Sequence, residues 1–297
     1  MQKSKSNTEI NWIGRILFLL PVTVLFVLFF IYPFGFTFIT SFTKWRGIGK
    51  MQFCGFANYI KLLEDPTFLL ALRNNIIWAV CQGFIQVPMA CIVAMILVRR
   101  PKGWRFLRTI YYLPNVISTV ALAMVWVAVY NVSGPLNAIL GKLFGMQARN
   151  WLGNPRTALG AVIFQTVIYI GYFMIILYAS ALTIPRDLYE AAEIDGAGTL
   201  QQEWHITLPM LRGSLVTTMT LAMAYGMRHF ESTYLMTGGG PAYSTTTMGI
   251  SLYGKMDSLR YSEASTTGIF LIIMGTLVIV AIRKLFGNSD PLSDTAQ

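Results

Sequence analysis

Charge is what this sequence has least of. Asp, Glu, Lys and Arg make up 12% of its 297 residues, about half of the roughly 25% found in soluble domains. A chain so poor in charge cannot cover a water-facing surface, which excludes a soluble enzyme and a disordered chain. Cysteine is scarce as well, with three in all, so a disulfide-stapled module is excluded. Cys81 and Cys91 fall inside an apolar run and read as small buried hydrophobes, and Cys54 stands alone in a loop. There are two histidines, His205 and His229, and no Cys/His cluster has metal-ligand spacing. A phosphate-cradling G-x-x-x-x-G-K-[ST] loop is also missing: Gly141-Lys142 is followed by Leu143 and has no glycine at the required distance.

What the sequence has instead is apolar length. Residues AVILMFWYC account for 55% of it. A membrane-crossing helix takes about 20 apolar residues, because roughly 30 Å of hydrocarbon is covered at 1.5 Å per residue. Stretches free of Asp, Glu, Lys and Arg run 16–43 (28 residues), 74–98 (25), 109–141 (33), 157–185 (29) and 264–282 (19). A sixth, 213–227, has 15 residues and becomes long enough when Arg228, His229 and Glu231 lie within the membrane. The composition therefore predicts an all-α polytopic membrane protein with six transmembrane helices. The first run is too long for a signal peptide and lacks a small-residue cleavage site, so it is expected to stay. Prolines 21, 33, 88 and 114 fall within or near spans, where neighbouring helices satisfy the freed carbonyls.

The net charge of +10 belongs to the flanks of these runs, which favours anionic lipid over nucleic acid as its partner. Arg99, Arg100, Lys102, Arg105 and Arg108 place five cations in ten residues between spans two and three. Lys3, Lys5 and Arg15 precede span one, and Arg283 and Lys284 follow span six. With six spans all three groups share one side, expected to be the cytoplasm, with both termini inside. Lys44, Arg46, Lys50, Lys61 and Arg73 then lie outside, so the loop at 99–108 decides the orientation.

The segment between spans four and five holds Asp187, Glu190, Glu193, Asp195 and Glu203, five of the thirteen acids. Pro185 suits a helix start. Leu188, Ala191, Ala192 and Ile194 give one apolar side, and Gly196 tolerates the left-handed stop. Leu200, Trp204 and Ile206 mark a second amphipathic stretch before Leu208-Pro209. Two short helices joined by a glycine turn are predicted. Acids beside a small apolar face suit a basic, grooved protein partner rather than the negative inner leaflet.

Glu190-Ala191-Ala192, three residues, Gly196, nine residues, Ile206, one residue and Leu208-Pro209 resemble the EAA loop of binding-protein-dependent ABC importer permeases. Thr237-Gly238-Gly239-Gly240-Pro241 resembles a segment of the sugar permeases of the maltose/glycerol-phosphate type. So do Leu20-Pro21 through Tyr32-Pro33, Gly55-Phe56-Ala57-Asn58-Tyr59, Leu72-Arg73-Asn74, Phe106-Leu107-Arg108-Thr109 and Leu113-Pro114. Glu203 departs from the family, whose members usually carry an aromatic or apolar residue there; Trp204 is expected to take over the docking contact.

The resemblance implies a type I ABC importer permease fold in one transmembrane domain, residues 1–297. It divides into a cytoplasmic N-terminus (1–15), a six-helix core (16–285) carrying the coupling loop at 184–209, and a cytoplasmic tail (286–297). It implies a bacterial or archaeal cytoplasmic membrane, a second homologous permease, two ATPase subunits, an extracytoplasmic sugar-binding protein and a sugar substrate. Glu190, Ala191, Ala192, Asp195, Gly196, Ala197 and Trp204 would contact the ATPase. This chain would be non-catalytic and bind no cofactor, with ATP and Mg held by the ATPases. A polyol or glycerol phosphate is the alternative solute. A secondary transporter would show an internal repeat or a chain of intramembrane acids, and an intramembrane enzyme a paired His/Asp or Ser/Lys; neither is present.

Polar groups inside a span are costly unless they face a partner or a cavity. Gln165, Tyr169 and Tyr172 at i, i+4 and i+7 form one stripe on span four, Asn115 and Thr119 at i, i+4 mark span three, and Tyr225, Gly226 and His229 mark span five. Aromatic faces with amides and hydroxyls match the C–H surface and OH groups of a sugar. The resemblance places sugar contacts on Asn115, Thr119, Gln165, Tyr169, Tyr172, Gly226 and His229. Arg228 and Glu231 are expected to satisfy one another.

Overall fold

The computed structural model describes residues 12–286. The expected N-terminal cations Lys3 and Lys5 and the tail at 287–297 lie outside the described residues. Thirteen helices are labelled in chain order: α1 Gly14–Ser41, α2 Ala57–Glu64, α3 Pro66–Val98, α4 Trp104–Asn115, α5 Thr119–Val129, α6 Pro135–Phe144, α7 Ala158–Ala181, α8 Arg186–Ile194, α9 (199–210), α10 Arg212–Met227, α11 Glu231–Thr237, α12 Met248–Asp257 and α13 Tyr261–Phe286. A two-residue antiparallel ribbon, β1 Thr43–Lys44 with β2 Gln52–Phe53, pairs Thr43 with Phe53.

Four helices among the described residues are long and apolar enough to cross a membrane: α1, α3, α7 and α13. The α4–α5 pair, bent by 95°, makes a fifth if counted as one span. This is a helical integral membrane protein, but two of the six expected spans take other forms. The run at 109–141 is not one helix: it turns sharply between Asn115 and Thr119 and continues into the separate α6. The run at 213–227 gives the 16-residue α10, and it is not lengthened through Arg228, His229 and Glu231. Arg228 leaves the helical conformation at φ −107°, ψ 18°, and a new helix begins at Glu231.

The prolines explain the helix geometry. A proline lacks an N–H and crowds the carbonyl four residues back. At Pro33, Pro88 and Pro209 the chain answers alike, widening the preceding turn to π-helix at Val27–Ile31, Gln82–Gln86 and Glu203–Thr207. In each, the residue before the proline bonds five residues back: Tyr32 to Val27, Val87 to Gln82, Leu208 to Glu203. Asp65 caps α3, accepting from the Thr67 amide at 2.9 Å ahead of Pro66 in the first turn, as N-cap chemistry favours.

Helix α3 is the hub. Its Val87, Ala90, Cys91, Ala94 and Leu97 pack on Ile170, Phe173, Met174, Leu177 and Ala181 of the α7 region. Its N-terminal half presents Phe68, Ala71 and Ala79 to Met227 and Met248, with Phe270 of α13 alongside. Helix α10 lies between α3 and α13. At Gly226 an added Cβ would stand 2.6 Å from the Ala79 backbone, so the absence of a side chain sets how closely α10 approaches α3. The apolar stretch of α1 has no buried residue and presents Ile16, Phe18, Phe29 and Phe30 outward.

Candidate functional site: a central cavity and an inter-span loop

Four interruptions of helix surround one cavity of about 590 Å³. The π-turn of α3 contributes Gln82 and Gln86, the bend between α4 and α5 contributes Asn115 and Thr119, the α7 region contributes Gln165, Tyr169 and Tyr172, and the gap between α10 and α11 contributes Arg228, His229 and Glu231. The volume falls within the roughly 300–1,000 Å³ of small-molecule sites.

Six of the seven sequence-derived positions line this space, though not with the predicted geometry. The Gln165–Tyr169–Tyr172 stripe is not carried by an unbroken helix: α7 loses its regular bonding at 168–170 and resumes at Gly171. Asn115 and Thr119 are not neighbours on one helix face, since the 95° bend falls between them. Tyr172 is half exposed to the cavity side, whereas Gln165 is buried. The Tyr169 hydroxyl accepts from the Trp126 indole N–H. His229 is buried, with Nε2 2.8 Å from the Ser232 hydroxyl and its ring stacked on Trp78 at 3.7 Å between centroids. Gly226 does not line the cavity; it is taken up by the backbone contact with Ala79, and its carbonyl accepts from Asn75 Nδ2 at 3.0 Å.

The expected Arg228–Glu231 pair does not form. Arg228 lies over the Tyr225 ring at 4.9 Å from the centroid, and the helix break between the two residues removes the one-turn spacing that would join them. Gln82 and Gln86 were missed. Gln86 donates through Nε2 to the Thr166 and Tyr169 carbonyls, both at 3.1 Å, filling the gap in α7 bonding. The Oε1 atoms of both glutamines are buried and have no hydrogen-bond partner among the described residues. Two amides at i, i+4 inside an apolar run were the available signal.

The glycine-rich segment after α11 forms a tight turn that packs on the N-terminal half of α3, at Asn74 and Asn75. Gly238 and Gly239 take φ +61° and +92°, and the Gly240–Pro241 peptide is cis. Thr246 and Thr245 hydroxyls donate to the Gly239 and Gly240 carbonyls at 2.9 and 2.8 Å. Asn74 Nδ2 donates to the Ser244 and Thr246 carbonyls, and Asn75 Oδ1 accepts from the Met248 amide.

The loop between α7 and α10 is the predicted pair of short helices. Helix α8 ends in a Schellman motif: Gly196 at φ +78° donates to Glu193, and Ala197 donates to Ala192 at 2.8 Å, the geometry that glycine permits. Glu190, Ala191, Asp195 and Gly196 are exposed, Ala192 and Ala197 half-buried, and Trp204 is 66% exposed. Ile194 is 87% exposed, so the expected apolar side of α8 does not turn inward as a whole. The Tyr189 hydroxyl meets the Thr207 hydroxyl at 2.8 Å, joining the two halves. Glu203 is buried against Arg99 at 2.6 Å, which explains why an acid is accommodated there.

The comparisons with known proteins point the same way. The chain is 34% identical over 275 residues to the probable ABC transporter permease protein YurN of Bacillus subtilis, covering 89% of this chain and 93% of that protein. It is 31% identical over 274 residues to the trehalose/maltose transport system permease protein MalF of Thermococcus litoralis, covering 90% and 92%. Its fold matches a chain in the crystal structure of a bacterial ABC transporter involved in import of the acidic polysaccharide alginate, with a TM-score of 0.81 at 22% identity over 92% of this chain and 94% of that one. Residues 86–290 match the family model described as the inner membrane component of binding-protein-dependent transport systems, and the chain belongs to that family.

Proposed function

We propose that this chain is one permease of an ATP-driven ABC importer for a sugar or oligosaccharide. The observation that carries the reading is the cavity, where Tyr169, Tyr172 and Tyr225 stand with the amides of Gln82, Gln86, Asn115 and Gln165. Aromatic faces take the C–H surface of a sugar and amides its hydroxyls. The exposed acids and small residues of 186–197 form a separate surface suited to a basic, grooved ATPase.

In this reading residues 1–297 make a single transmembrane unit with both termini in the cytoplasm. Helix α10, packed between α3 and α13, completes a sixth crossing; its 16 residues span about 24 Å at 1.5 Å each. A homologous permease faces this one, two ATPases carrying ATP and Mg bind the cytoplasmic loops, and a sugar-binding protein delivers substrate from outside. Closure of the ATPases draws the coupling loops together, and rocking of the helices turns the cavity from cytoplasm-facing to outward-facing. This chain itself performs no chemistry.

The test is to purify the chain with the products of its neighbouring genes, identify the ligand of the binding protein by calorimetry against a sugar panel, and measure ATP-driven uptake of that ligand into proteoliposomes. Co-purification of an ATPase and a binding protein with uptake of a sugar is expected. A binding protein selective for a polyol or glycerol phosphate moves the substrate to the alternative class.

A further inference from the structure

The ion pair between Arg99 and Glu203 does not belong to the cavity, and its place in the fold gives it a role. Arg99 is the C-cap residue of α3. Its Nε donates to Glu203 Oε1 at 2.6 Å, and its Nη2 donates to Gln202 Oε1 at 3.2 Å and to the Thr199 carbonyl at 3.3 Å. One guanidinium thus holds the first turn and the middle of α9 at once. Gln202 in turn donates to the Ala197 carbonyl at 3.2 Å, just after the glycine turn, and Tyr189 and Thr207 close the loop from its other side. Arg99 thus ties the 197–203 part of the segment to the end of α3, while Tyr189 and Ile206 pack on the core formed by α3 and the α7 region.

A buried carboxylate is an expensive way to fill this position, and the Arg99 side chain that meets it is itself 35% exposed. The Glu203 side chain is 12% exposed and its Oε2 has no hydrogen-bond partner among the described residues. Apolar residues of similar volume often replace a buried ion pair with no loss of stability. A planar guanidinium whose Nε and Nη2 bond three separate acceptors fixes orientation as well as distance, which non-directional apolar contact does not. What is gained is a rigid joint.

The joint leads to the cavity. From Leu97 back to Val87, α3 is packed along the α7 region by small residues, Ala90, Cys91 and Ala94. Beyond that seam lies the Gln82–Gln86 π-turn, whose Gln86 amide holds the Thr166 and Tyr169 carbonyls. π-Turns inside α-helices are concentrated at functional sites.

We propose that Arg99–Glu203 is the joint that delivers movement of the 186–207 loop to α3, and through α3 to the glutamine and tyrosine wall of the cavity. Arg99 and Glu203 are positioning residues; they touch neither substrate nor nucleotide. The inference rests on the transporter reading given above.

The test uses the assembled transporter, both permeases with ATPases and binding protein, in proteoliposomes, and reads uptake per ATP hydrolysed. Glu203→Gln and Arg99→Gln are expected to lower that ratio roughly five-fold or more, a typical coupling effect. The exchange Arg99→Glu with Glu203→Arg is expected to restore it towards wild type. The double variant Arg99→Leu with Glu203→Leu separates joint from filler: it should assemble and melt like wild type yet stay uncoupled. Uptake per ATP at the wild-type ratio in the double-leucine variant overturns the proposal. So does a proportional fall of uptake and hydrolysis across the single variants, which marks a merely structural pair. A wild-type complex without ATP-driven uptake overturns the transporter reading itself, and this inference with it, before any variant is compared.

Discussion

Gly171 abuts Tyr111 so closely that a Cβ added at the glycine would overlap the tyrosine carbonyl oxygen and stand 2.6 Å from Asn115 Nδ2. The contact lets the end of α4 lie on the interruption in α7, where Asn115 and Tyr172 both line the cavity. The first residue of a resumed helix thus fixes the spacing of two walls.

Gly171→Ala is therefore expected to push the α4 end outward. Overpacking of this kind costs about 1–3 kcal/mol, and the backbone carbonyl opposite cannot rotate away as a side chain would. Thermal unfolding of the detergent-solubilised protein should fall by several degrees, with uptake reduced further than stability alone explains. Wild-type uptake in this variant would show that the α4–α7 spacing does not shape the site.

In an alanine scan from Gln165 to Ile176, Tyr172→Ala should weaken substrate interaction on the order of 1 kcal/mol, since aromatic contact adds roughly 0.5–1.5 beyond area burial. Tyr169→Ala also frees the Trp126 indole and should cost more. Val167, Ile170 and Met174 are buried, and alanine at the latter two should cost about 2–5 kcal/mol of stability. Uptake must then be compared at equal amounts of folded protein. If, so normalised, the losses fall on Ile170 and Met174 and spare the tyrosines, recognition lies elsewhere.

Gly196 occupies φ +78° at the end of α8, and a bulky residue there carries strain of about 1–3 kcal/mol. Gly196→Val should break the Schellman turn and lower uptake per ATP while insertion of the spans stays normal. Glu190→Lys should weaken co-purification of the ATPase. Wild-type uptake in both variants would remove this loop from the coupling role.

Lys255, in α12 outside the candidate spans, is held by Thr267 at 2.9 Å and lies over the Phe68 ring. Burial pushes it down from 10.5 to about 8, against the pull of Asp65 and Glu263 and with a smaller push from Arg260 and Lys61. The folded state then binds fewer protons than the unfolded state between those two values, so stability should rise with pH across that window. Melting measured from pH 7 to 10 is expected to shift upward, and Lys255→Met to abolish the part of the rise due to this group. An unchanged slope in the variant would assign the rise to other groups.

Much of the cavity lining was legible because of solvent. Amides and tyrosines in lipid-length apolar runs need partners or a cavity, so Gln165, Tyr169 and Tyr172 could be singled out by residue type, by their i, i+4, i+7 spacing and by the family resemblance. The same rule reaches Gln82 and Gln86. Gly226 lies against the Ala79 backbone and off the cavity lining; a glycine in a span marks either close helix contact or an opening, and sequence spacing does not distinguish them. The Arg228–Glu231 pair failed for a local reason: the expectation assumed helix across positions where the chain stops and restarts.

The sequence by itself determined the lipid environment, the helical class, the span positions at α1, α3, α7 and α13, and the glycine turn at Gly196, because these follow from composition, run length and the conformational limits of single residues. Tertiary structure alone decided where helices break and what the breaks bring together. At the gap at 168–170 Gln86 donates to the Thr166 and Tyr169 carbonyls, and at the stop at Arg228 Asn75 donates to the Gly226 and Met227 carbonyls, so neighbouring helices satisfy groups that the breaks release. The cavity stands where those helix breaks meet, and residues far apart in the chain supply its walls.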